Sequence, residues 1–292
     1  MTTNALSTSE RKLLVLDLNG SLLFRPSRYK KSNNGGTNVR TVLSRPYVTP
    51  FREYLFHPET SRWLDTMVWS SAQPHSVDHM VKRVFGDYTK NLKATWARDT
   101  LDLTPDKYKK KSKTVKDLTK IWNAFPTFSA QNTLLIDDST DKANLQPWNH
   151  LFIKEYGEEE RRHDMRVVPA LRKNPAIKEP EFDISKLAER LRSNLRVNDA
   201  EKQKQPDRYD DTLLAVIGIL DALEHEKDVA AWLQSGGIIL CGKESEPSFP
   251  GGVIGDRWFD QNVVLDCWVE RGRATLGRLK INEVVGVVKE VI

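Results

Sequence analysis

The stretch Leu13–Leu23, which reads LLVLDLNGSLL, is the most informative part of the chain. Its first four residues are apolar, and a polar turn that contains Asp17, Asn19 and Gly20 follows them directly. A short, continuous apolar run that ends in such a turn is typical of a strand buried on both faces of a parallel sheet. We therefore expect a buried strand with polar side chains at its carboxyl end.

Two further apolar runs have the same form. Thr66–Trp69 precedes Ser70 and Ser71, and Thr133–Ile136 precedes the cluster Asp137–Ser139. Stretches with helical spacing of apolar side chains lie between the runs. Strands that alternate with helices predict an α/β fold with a doubly wound, mostly parallel sheet.

The rest of the chain divides into helices, loops and a less regular end. We expect helices at Phe51–Phe56, Ser76–Phe85, Ile184–Leu195 and Asp211–Leu233. We expect a mobile polar loop at Ser27–Asn38, a lysine-rich surface loop at Thr104–Lys120, a solvated turn at Glu158–Arg162 and a linker at Arg196–Arg208. Short β-like runs are expected at Val263–Val269 and Glu283–Ile292. The predicted parts are a flexible N-terminus at 1–10, a domain at 11–235, and a helical and β extension at 236–292 that packs on the domain.

The composition argues against several classes of protein. The chain has 292 residues, with 45 lysines and arginines against 40 aspartates and glutamates. This small basic excess is compatible with acidic partners but also with plain solubility. Cys241 and Cys267 are too few for a disulfide framework, and Met1–Arg11 lacks the apolar core of a secretory signal. No apolar run approaches the roughly 20 residues of a membrane span, so we expect a soluble, intracellular protein of the nucleus or the cytoplasm.

The polar clusters after the three predicted strands suggest one shared site. Ligands of open α/β sheets bind at the carboxyl ends of the strands, so the clusters are expected to converge there. Carboxylate oxygens suit Mg²⁺, and a cation with hydroxyl donors suits a phosphoryl group. The candidate residues are Asp17, Asn19, Ser70, Ser71, Lys116, Asp137 and Asp138.

Each cluster alone also has a purely structural interpretation. The run from Asp17 to Ser21 is compatible with a simple strand-end turn, because Asp, Asn and Gly favour such turns. Asp137 and Asp138 are compatible with a helix cap, Ser70 with a capping hydroxyl, and Lys116 with a solvated lysine. The order of the clusters and their strand context favour the site.

That order resembles the haloacid dehalogenase superfamily and, within it, the FCP/SCP family of RNA polymerase C-terminal-domain phosphatases and NLI-interacting-factor-like relatives. The resemblance covers residues 11–235 and does not cover 238–292. The segments that carry it are Leu13–Leu23, Arg45-Pro46, Val68–Ala72, Lys116–Leu118, Leu135–Ser139 and Gln146-Pro147 with Asn149.

The resemblance implies a role for each candidate residue. Asp17 is implied to be the nucleophile, which forms an aspartyl-phosphate, and also a ligand of Mg²⁺. The backbone carbonyl of Asn19 and the side chains of Asp137 and Asp138 are implied to complete the metal site. Ser70, Ser71 and Lys116 are implied to hold the phosphate, whereas a structural role is favoured for Arg45 and Arg98.

Asn19 departs from the family pattern, which has an aspartate at this position. The family's aspartate protonates the leaving group and then activates water, and such general acid–base help is typically worth about 10²–10⁴-fold in rate. An asparagine cannot supply it. The chain is therefore a slow phosphatase, a pseudophosphatase that binds a phosphorylated partner, or a form trapped by an introduced Asn19. Asp141 is a candidate replacement for the missing acid.

Two rival functions remain open at this stage. A nucleic-acid end phosphatase is supported by the basic segment Lys107–Lys120, although Tyr108 is its one interleaved aromatic residue. A pure interaction protein is supported by Asn19 and by the tryptophan-bearing tail Trp258–Ile292. The spacings between Asp17, Ser70 and Lys116 leave no room for a large cap domain. An open site of this kind suits a phosphoserine or phosphothreonine in a protein segment.

Overall fold

A computed structural model describes residues 11–26, 41–110, 112–173, 208–241 and 257–287. Three predicted segments lie outside the described residues: the flexible N-terminus 1–10, the helix Ile184–Leu195 and the polar loop Ser27–Asn38. Most of the linker Arg196–Arg208 also lies outside them.

Within the described residues, the centre of the fold is a five-stranded parallel sheet with the order β5-β4-β1-β6-β7. Its strands are β1 (Lys12–Leu16), β4 (Leu64–Trp69), β5 (Thr95–Trp96), β6 (Thr133–Asp137) and β7 (His150–Phe152). A short antiparallel pair, β2 (Leu23–Phe24) and β3 (Leu43–Ser44), follows β1. The three strands predicted from the sequence are confirmed as the three central strands, and the α/β class with a mostly parallel sheet is confirmed.

Side chains of successive strand residues point to opposite faces of the sheet, and both faces are buried. Leu14 and Leu16 of β1 belong to one apolar cluster, whereas Leu13 and Val15 belong to the other. All four are fully buried. The continuous apolar run in β1 is therefore the consequence of a sheet covered on both sides.

Helices cover the two faces of the sheet. They are α1 (Val48–Leu55), α2 (Pro74–Phe85), α3 (Pro105–Lys109), α4 (Thr119–Ala124), α5 (Glu158–Lys173), α6 (Thr212–Leu223), α7 (Val229–Gln234) and α8 (Asn262–Arg278). The predictions for α1 and α2 are confirmed, and Gly86 ends α2 as expected. In the part of the chain described here, no helix combines the length and the apolar character that crossing a bilayer would need.

Two predictions in the middle of the chain, one of a turn and one of a helix, are wrong in detail. The expected turn at Glu158–Arg162 is the start of α5, where three glutamates favour helix by their position at its positive end. Glu160 also accepts a hydrogen bond from the backbone of Gly157 at 3.2 Å. The expected single helix Asp211–Leu233 is divided into α6 and α7, because Asp228 adopts an extended backbone and its carboxylate caps α7 at the amide of Ala231.

The expected β-like run Val263–Val269 is wrong, since it belongs to helix α8. The buried residues Val264, Leu265 and Trp268 have helical spacing, and their side chains pack with α6 in the larger apolar cluster. The second β-like run, Glu283–Ile292, forms no strand in its described part, 283–287.

The helices α6 and α8 touch through their backbones at two glycines. A Cβ atom on Gly272 would lie 2.0 Å from the carbonyl oxygen of Leu214, and one on Gly218 would lie 2.2 Å from that of Trp268. These distances are too short for any side chain. The close approach of two backbones is a long-range property that a local sequence pattern does not reveal.

Candidate active site

The predicted site residues lie side by side at the carboxyl edge of the sheet. Asp17 follows β1, Ser70 follows β4, and Asp137 ends β6. Because β1 lies between β4 and β6, the ends of these three strands are neighbours. The strand order also reverses at β1, which is where open α/β sheets form a ligand crevice.

Lys116 forms the buried ionic centre of this edge. Its Nζ donates to Asp17 Oδ1 at 2.7 Å and to Asp137 Oδ2 at 2.6 Å, and its side chain is fully buried. Burial alone would raise the pKa of Asp137, but the ammonium groups of Lys116 and Lys142 outweigh it and hold that pKa below its ordinary value. Lys116 thus compensates the charge of both carboxylates away from water.

Three hydrogen bonds hold Lys116 and the two residues after it in place. Its backbone amide donates to the carbonyl of Lys142 at 2.7 Å. The next residues are held by Gln146, whose Oε1 accepts from the amide of Leu118 at 3.0 Å and whose Nε2 donates to Asp117 Oδ1 at 2.9 Å. The Gln-Pro element after β6 therefore fixes the segment that carries the buried lysine.

Lys142 is a site residue that the sequence reasoning missed. Its Nζ lies 3.1 Å from Asp137 Oδ1, 3.8 Å from Asp17 Oδ2 and 3.8 Å from Asp138 Oδ1. A 3₁₀ turn at Thr140–Ala143 directs this lysine back to the strand end. Its position four residues after Asp138 was the available signal, but the tight turn that makes the spacing meaningful was not predicted.

Asp138 lies against the turn that follows β1. Ser21 Oγ donates to Asp138 Oδ1 at 3.4 Å, and a Cβ atom on Gly20 would lie 2.3 Å from Asp138 Oδ2. Gly20 also has a φ of +92°, so both its backbone and its surroundings require glycine. Burial, together with repulsion from Asp17, raises the pKa of Asp138 to about 7.

The three aspartates offer a donor set that fits a divalent cation. Oxygens of Asp17, Asp137 and Asp138 lie within 4.8 Å of one another. Carboxylate oxygens are the hard ligands that Mg²⁺ prefers. Both oxygens of Asp137 are already engaged by Lys116 and Lys142, so Asp17 and Asp138 are the better placed ligands.

Asp17 and Asp138 open onto a cavity of about 890 Å³. Ser70, Ser71 and Asn19 line it, with Ser70 buried and Asn19 exposed. The Oδ1 of Asn19 accepts a hydrogen bond from the backbone amide of Arg25 at 3.1 Å. The cavity also contains residues that were not among the central candidates: Arg25, Arg98, Ser112, Lys113, Thr114, Asp141, Lys142 and Glu155.

Arg45 holds the site turn to the start of α6. It is buried, and it donates to both carboxylate oxygens of Asp210, at 2.9 and 2.8 Å, and to Thr212 Oγ1 at 2.8 Å. A further hydrogen bond of 3.0 Å reaches the carbonyl of Ser21. These contacts give Arg45 the structural role expected for it.

The chain is similar to known phosphatase domains. A family model described as NLI interacting factor-like phosphatase matches residues 12–174. An uncharacterised FCP1 homology domain-containing protein of Schizosaccharomyces pombe is 30% identical over 159 residues, which are 51% of this chain and 63% of the relative. The matched region thus spans less than two thirds of that relative.

Two solved structures resemble the chain weakly. The structure of Fcp1, an essential RNA polymerase II CTD phosphatase, has a TM-score of 0.39 and 12% identity, covering 83% of this chain and 70% of Fcp1. Fission yeast Fcp1 bound to beryllium fluoride has a TM-score of 0.36 and 12% identity, covering 97% of this chain and 70% of that protein. Neither similarity carries an argument.

The family match covers more than half of the chain and includes every element that builds the site. Phosphatase-type chemistry and a divalent metal cofactor are what this family implies, and the donor set of the three aspartates fits such a metal. The chain belongs to the NLI interacting factor-like phosphatase family.

Proposed function

We propose that the chain is a Mg²⁺-dependent phosphatase-like protein that binds or hydrolyses phosphoserine and phosphothreonine in protein segments, with turnover weakened by Asn19. The observation that carries this proposal is the buried contact of Lys116 with Asp17, beside a wide cavity lined by Ser70 and Ser71. A wide cavity suits a protein segment better than a small enclosed metabolite. The location of the protein in the nucleus or the cytoplasm stays a prediction from composition.

Asp17 is the proposed nucleophile because one of its oxygens is held by a hydrogen bond to Lys116 and the other is not. Oδ1 accepts from Lys116 at 2.7 Å, which orients the carboxylate, whereas Oδ2 lies 3.8 Å from the ammonium of Lys142. In the proposed step, Oδ2 forms a bond to phosphorus as the bond to the serine or threonine oxygen breaks. Water then attacks phosphorus, which releases inorganic phosphate and restores Asp17.

The remaining residues would hold the phosphoryl group and the cation. Ser70 and Ser71 offer hydroxyl donors to phosphate oxygens. Asp17, Asp138 and the backbone carbonyl of Asn19 would hold Mg²⁺, which supplies positive charge next to the phosphate when it is bound. When all three aspartates are ionised, they and the two lysines Lys116 and Lys142 leave one net negative charge, so a bound dication makes this edge net positive.

Asn19 removes the acid and base that the family pattern supplies at this position. Its amide has no titratable proton, so the leaving alkoxide must take its proton from elsewhere. Asp141 and Glu155 are exposed carboxylates that line the same cavity, and Asp141 is paired with Lys113 at 3.0 Å. They are the candidates for that proton transfer.

The test is Mg²⁺-dependent hydrolysis of an aryl phosphate by the chain, by Asp17→Asn and by Asn19→Asp. If the unmodified chain is active and Asp17→Asn abolishes that activity, the chain is an enzyme. We expect Asn19→Asp to raise the rate by about 10²–10⁴-fold, which is the usual contribution of a general acid–base group. If all three proteins are silent and none binds Mg²⁺, the proposed site is wrong.

The second candidate function is phosphoprotein binding without turnover, and Asn19 is the observation that favours it. In that case the unmodified chain binds phosphopeptides but releases no phosphate, and activity appears only in Asn19→Asp. Measuring binding and phosphate release on the same phosphopeptide separates the two functions.

A further inference from the structure

The lysine-rich segment Lys107–Lys113 is held at the rim of the cavity by one buried arginine. Arg98 is only 7% exposed, and it lines the cavity together with Ser112 and Lys113. The segment supplies none of the aspartates and serines of the proposed phosphate site. Its role is therefore a separate question.

Arg98 donates four hydrogen bonds to this segment. Its Nε donates to the carbonyl of Tyr108 at 2.9 Å. Its Nη2 lies 2.7 Å from the carbonyls of Lys107 and Lys110 and from Ser112 Oγ. The described residues of the segment, 107–110 and 112, are thus held around one guanidinium group.

The same arginine ties the segment to the phosphate site. Arg98 Nη1 donates to the carbonyl of Ser71 at 3.2 Å, next to the proposed phosphate hydroxyls. Gln73 adds a second connection, since its Nε2 donates to the carbonyl of Tyr108 at 3.2 Å. The position of the lysine-rich segment relative to the end of β4 is therefore set by hydrogen bonds.

The described lysine side chains of this segment are exposed to solvent. Lys107, Lys109 and Lys110 are exposed and form no ion pair with an acidic side chain of the described residues. Lys113 has 90% of its side chain exposed and pairs with Asp141 at 3.0 Å. Holding like charges on a fixed backbone is unfavourable unless an acidic partner offsets their repulsion.

We propose that the segment Lys107–Lys113 recognises acidic or additionally phosphorylated residues that flank the phosphoserine or phosphothreonine in the cavity. This inference rests on the proposed function and specifies its substrate class. A peptide is favoured over a nucleic acid because base binding needs stacking platforms, and Tyr108 is the one aromatic residue of the segment. Exposed lysines bind carboxylates and phosphates alike as point charges.

The experiment compares binding of two phosphoserine peptides to the unmodified chain, one with acidic and one with neutral flanking residues. Fluorescence anisotropy in Mg²⁺ at low salt gives both dissociation constants. We expect the acidic peptide to bind about tenfold more tightly, since each exposed charge pair contributes modestly. The difference should disappear in Lys107→Ala/Lys109→Ala/Lys110→Ala, while binding of the neutral peptide stays unchanged.

A matched control carries the same loss of charge at residues that do not line the cavity. Lys82→Ala/Arg83→Ala/Lys90→Ala removes three exposed cations at and after the end of α2, outside the lining of the cavity. We expect this variant to keep the preference for the acidic peptide. If both triple variants lose the preference equally, net charge alone explains it and the inference is wrong.

Other outcomes separate the inference from the proposed function. Equal binding of the two peptides would overturn the inference and leave the proposed function intact. No binding of either peptide would overturn the proposed function itself, and the inference with it. A single-stranded oligonucleotide that binds more tightly than the acidic peptide, and only when the three lysines are present, would assign the segment to nucleic acid instead.

Discussion

The carboxyl edge of the sheet and the helix pair α6–α8 are stabilised in opposite ways. At the sheet edge, buried charges compensate one another, as in the contact of Lys116 with Asp17 and Asp137. In the helix pair, apolar side chains and two glycines bring backbones into contact. The sheet edge therefore depends on the balance of its charges, which a substitution of similar shape can test. The helix pair depends on shape, and we expect it to tolerate almost no added volume.

The largest expected effect is loss of the charge compensation at the sheet edge. Lys116→Met leaves Asp17 and Asp137 buried without their main counterion, and removing one partner of a buried pair costs about 3–5 kcal/mol of stability. Urea denaturation measures this loss. Lys113→Met is the control, because its pair with Asp141 is exposed and such pairs contribute about 0–1 kcal/mol.

A second variant shows whether charge is the cause. Adding Asp137→Asn to Lys116→Met removes one of the two carboxylates that lost their main counterion, so part of the stability should return. If the double variant is less stable than Lys116→Met by the full cost of Asp137→Asn alone, the two residues are not coupled and the description of the sheet edge is wrong.

A single methyl group should break the helix pair. Gly272→Ala places a Cβ atom 2.0 Å from the carbonyl oxygen of Leu214, and we expect a loss of about 3 kcal/mol in the free energy of unfolding. Gly277 lies in the same helix with no atom near its missing Cβ, so Gly277→Ala should gain about 0.5–1 kcal/mol. Equal effects of the two substitutions in thermal denaturation would contradict the close contact.

The comparison also explains what the sequence could predict. Asp17, Ser70 and Asp137 each follow a short apolar strand, so a local pattern reveals both the strand and its polar end. The parallel order of the strands then brings them together. Lys142 was missed because its approach to the aspartates depends on a 3₁₀ turn that no local pattern indicates.

The helix pair was predicted less well because its structure depends on distant residues. Val263, Val264 and Val269 are β-branched and locally favour a strand. Packing of α8 on α6 outweighs that preference, and the contact of Gly272 with Leu214 that permits it joins residues far apart in the sequence. Only the tertiary structure resolves such a conflict.

A pH titration tests a buried carboxylate that, unlike Asp17 and Asp137, has no lysine beside it among its hydrogen-bond partners. Asp164 is buried beside the start of α6 and accepts from Tyr156 at 2.8 Å and from the amide of Asp210 at 3.0 Å. Burial raises the pKa of Asp164 to about 6, despite these hydrogen bonds. Because the folded pKa exceeds the unfolded one, its contribution to stability is complete below about pH 4 and is lost as pH rises through 6.

Asp164→Asn should remove this dependence, since an amide does not ionise. We expect the stability of the variant relative to the unmodified chain to increase by about 2–3 kcal/mol between pH 4 and pH 7, measured by urea denaturation at each pH. The substitution also alters the hydrogen bonds, which changes the stability by the same amount at every pH. The test is therefore how the difference in stability changes with pH. A constant difference across this range would show that Asp164 does not titrate as described.

The smallest expected effect concerns Lys142, which shares the three aspartates with the proposed Mg²⁺ site. Its ammonium lies within 3.8 Å of an oxygen of each aspartate, so it repels a dication that binds there. We expect Lys142→Met to bind Mg²⁺ about tenfold more tightly, which corresponds to roughly 1.4 kcal/mol, in isothermal titration calorimetry. Lys113→Met, altered at the exposed rim of the cavity, should bind Mg²⁺ nearly as the unmodified chain does. Weaker binding by Lys142→Met would mean that the ammonium orients the carboxylates for the metal more than it competes with it, and the sheet edge would then need both lysines for its function.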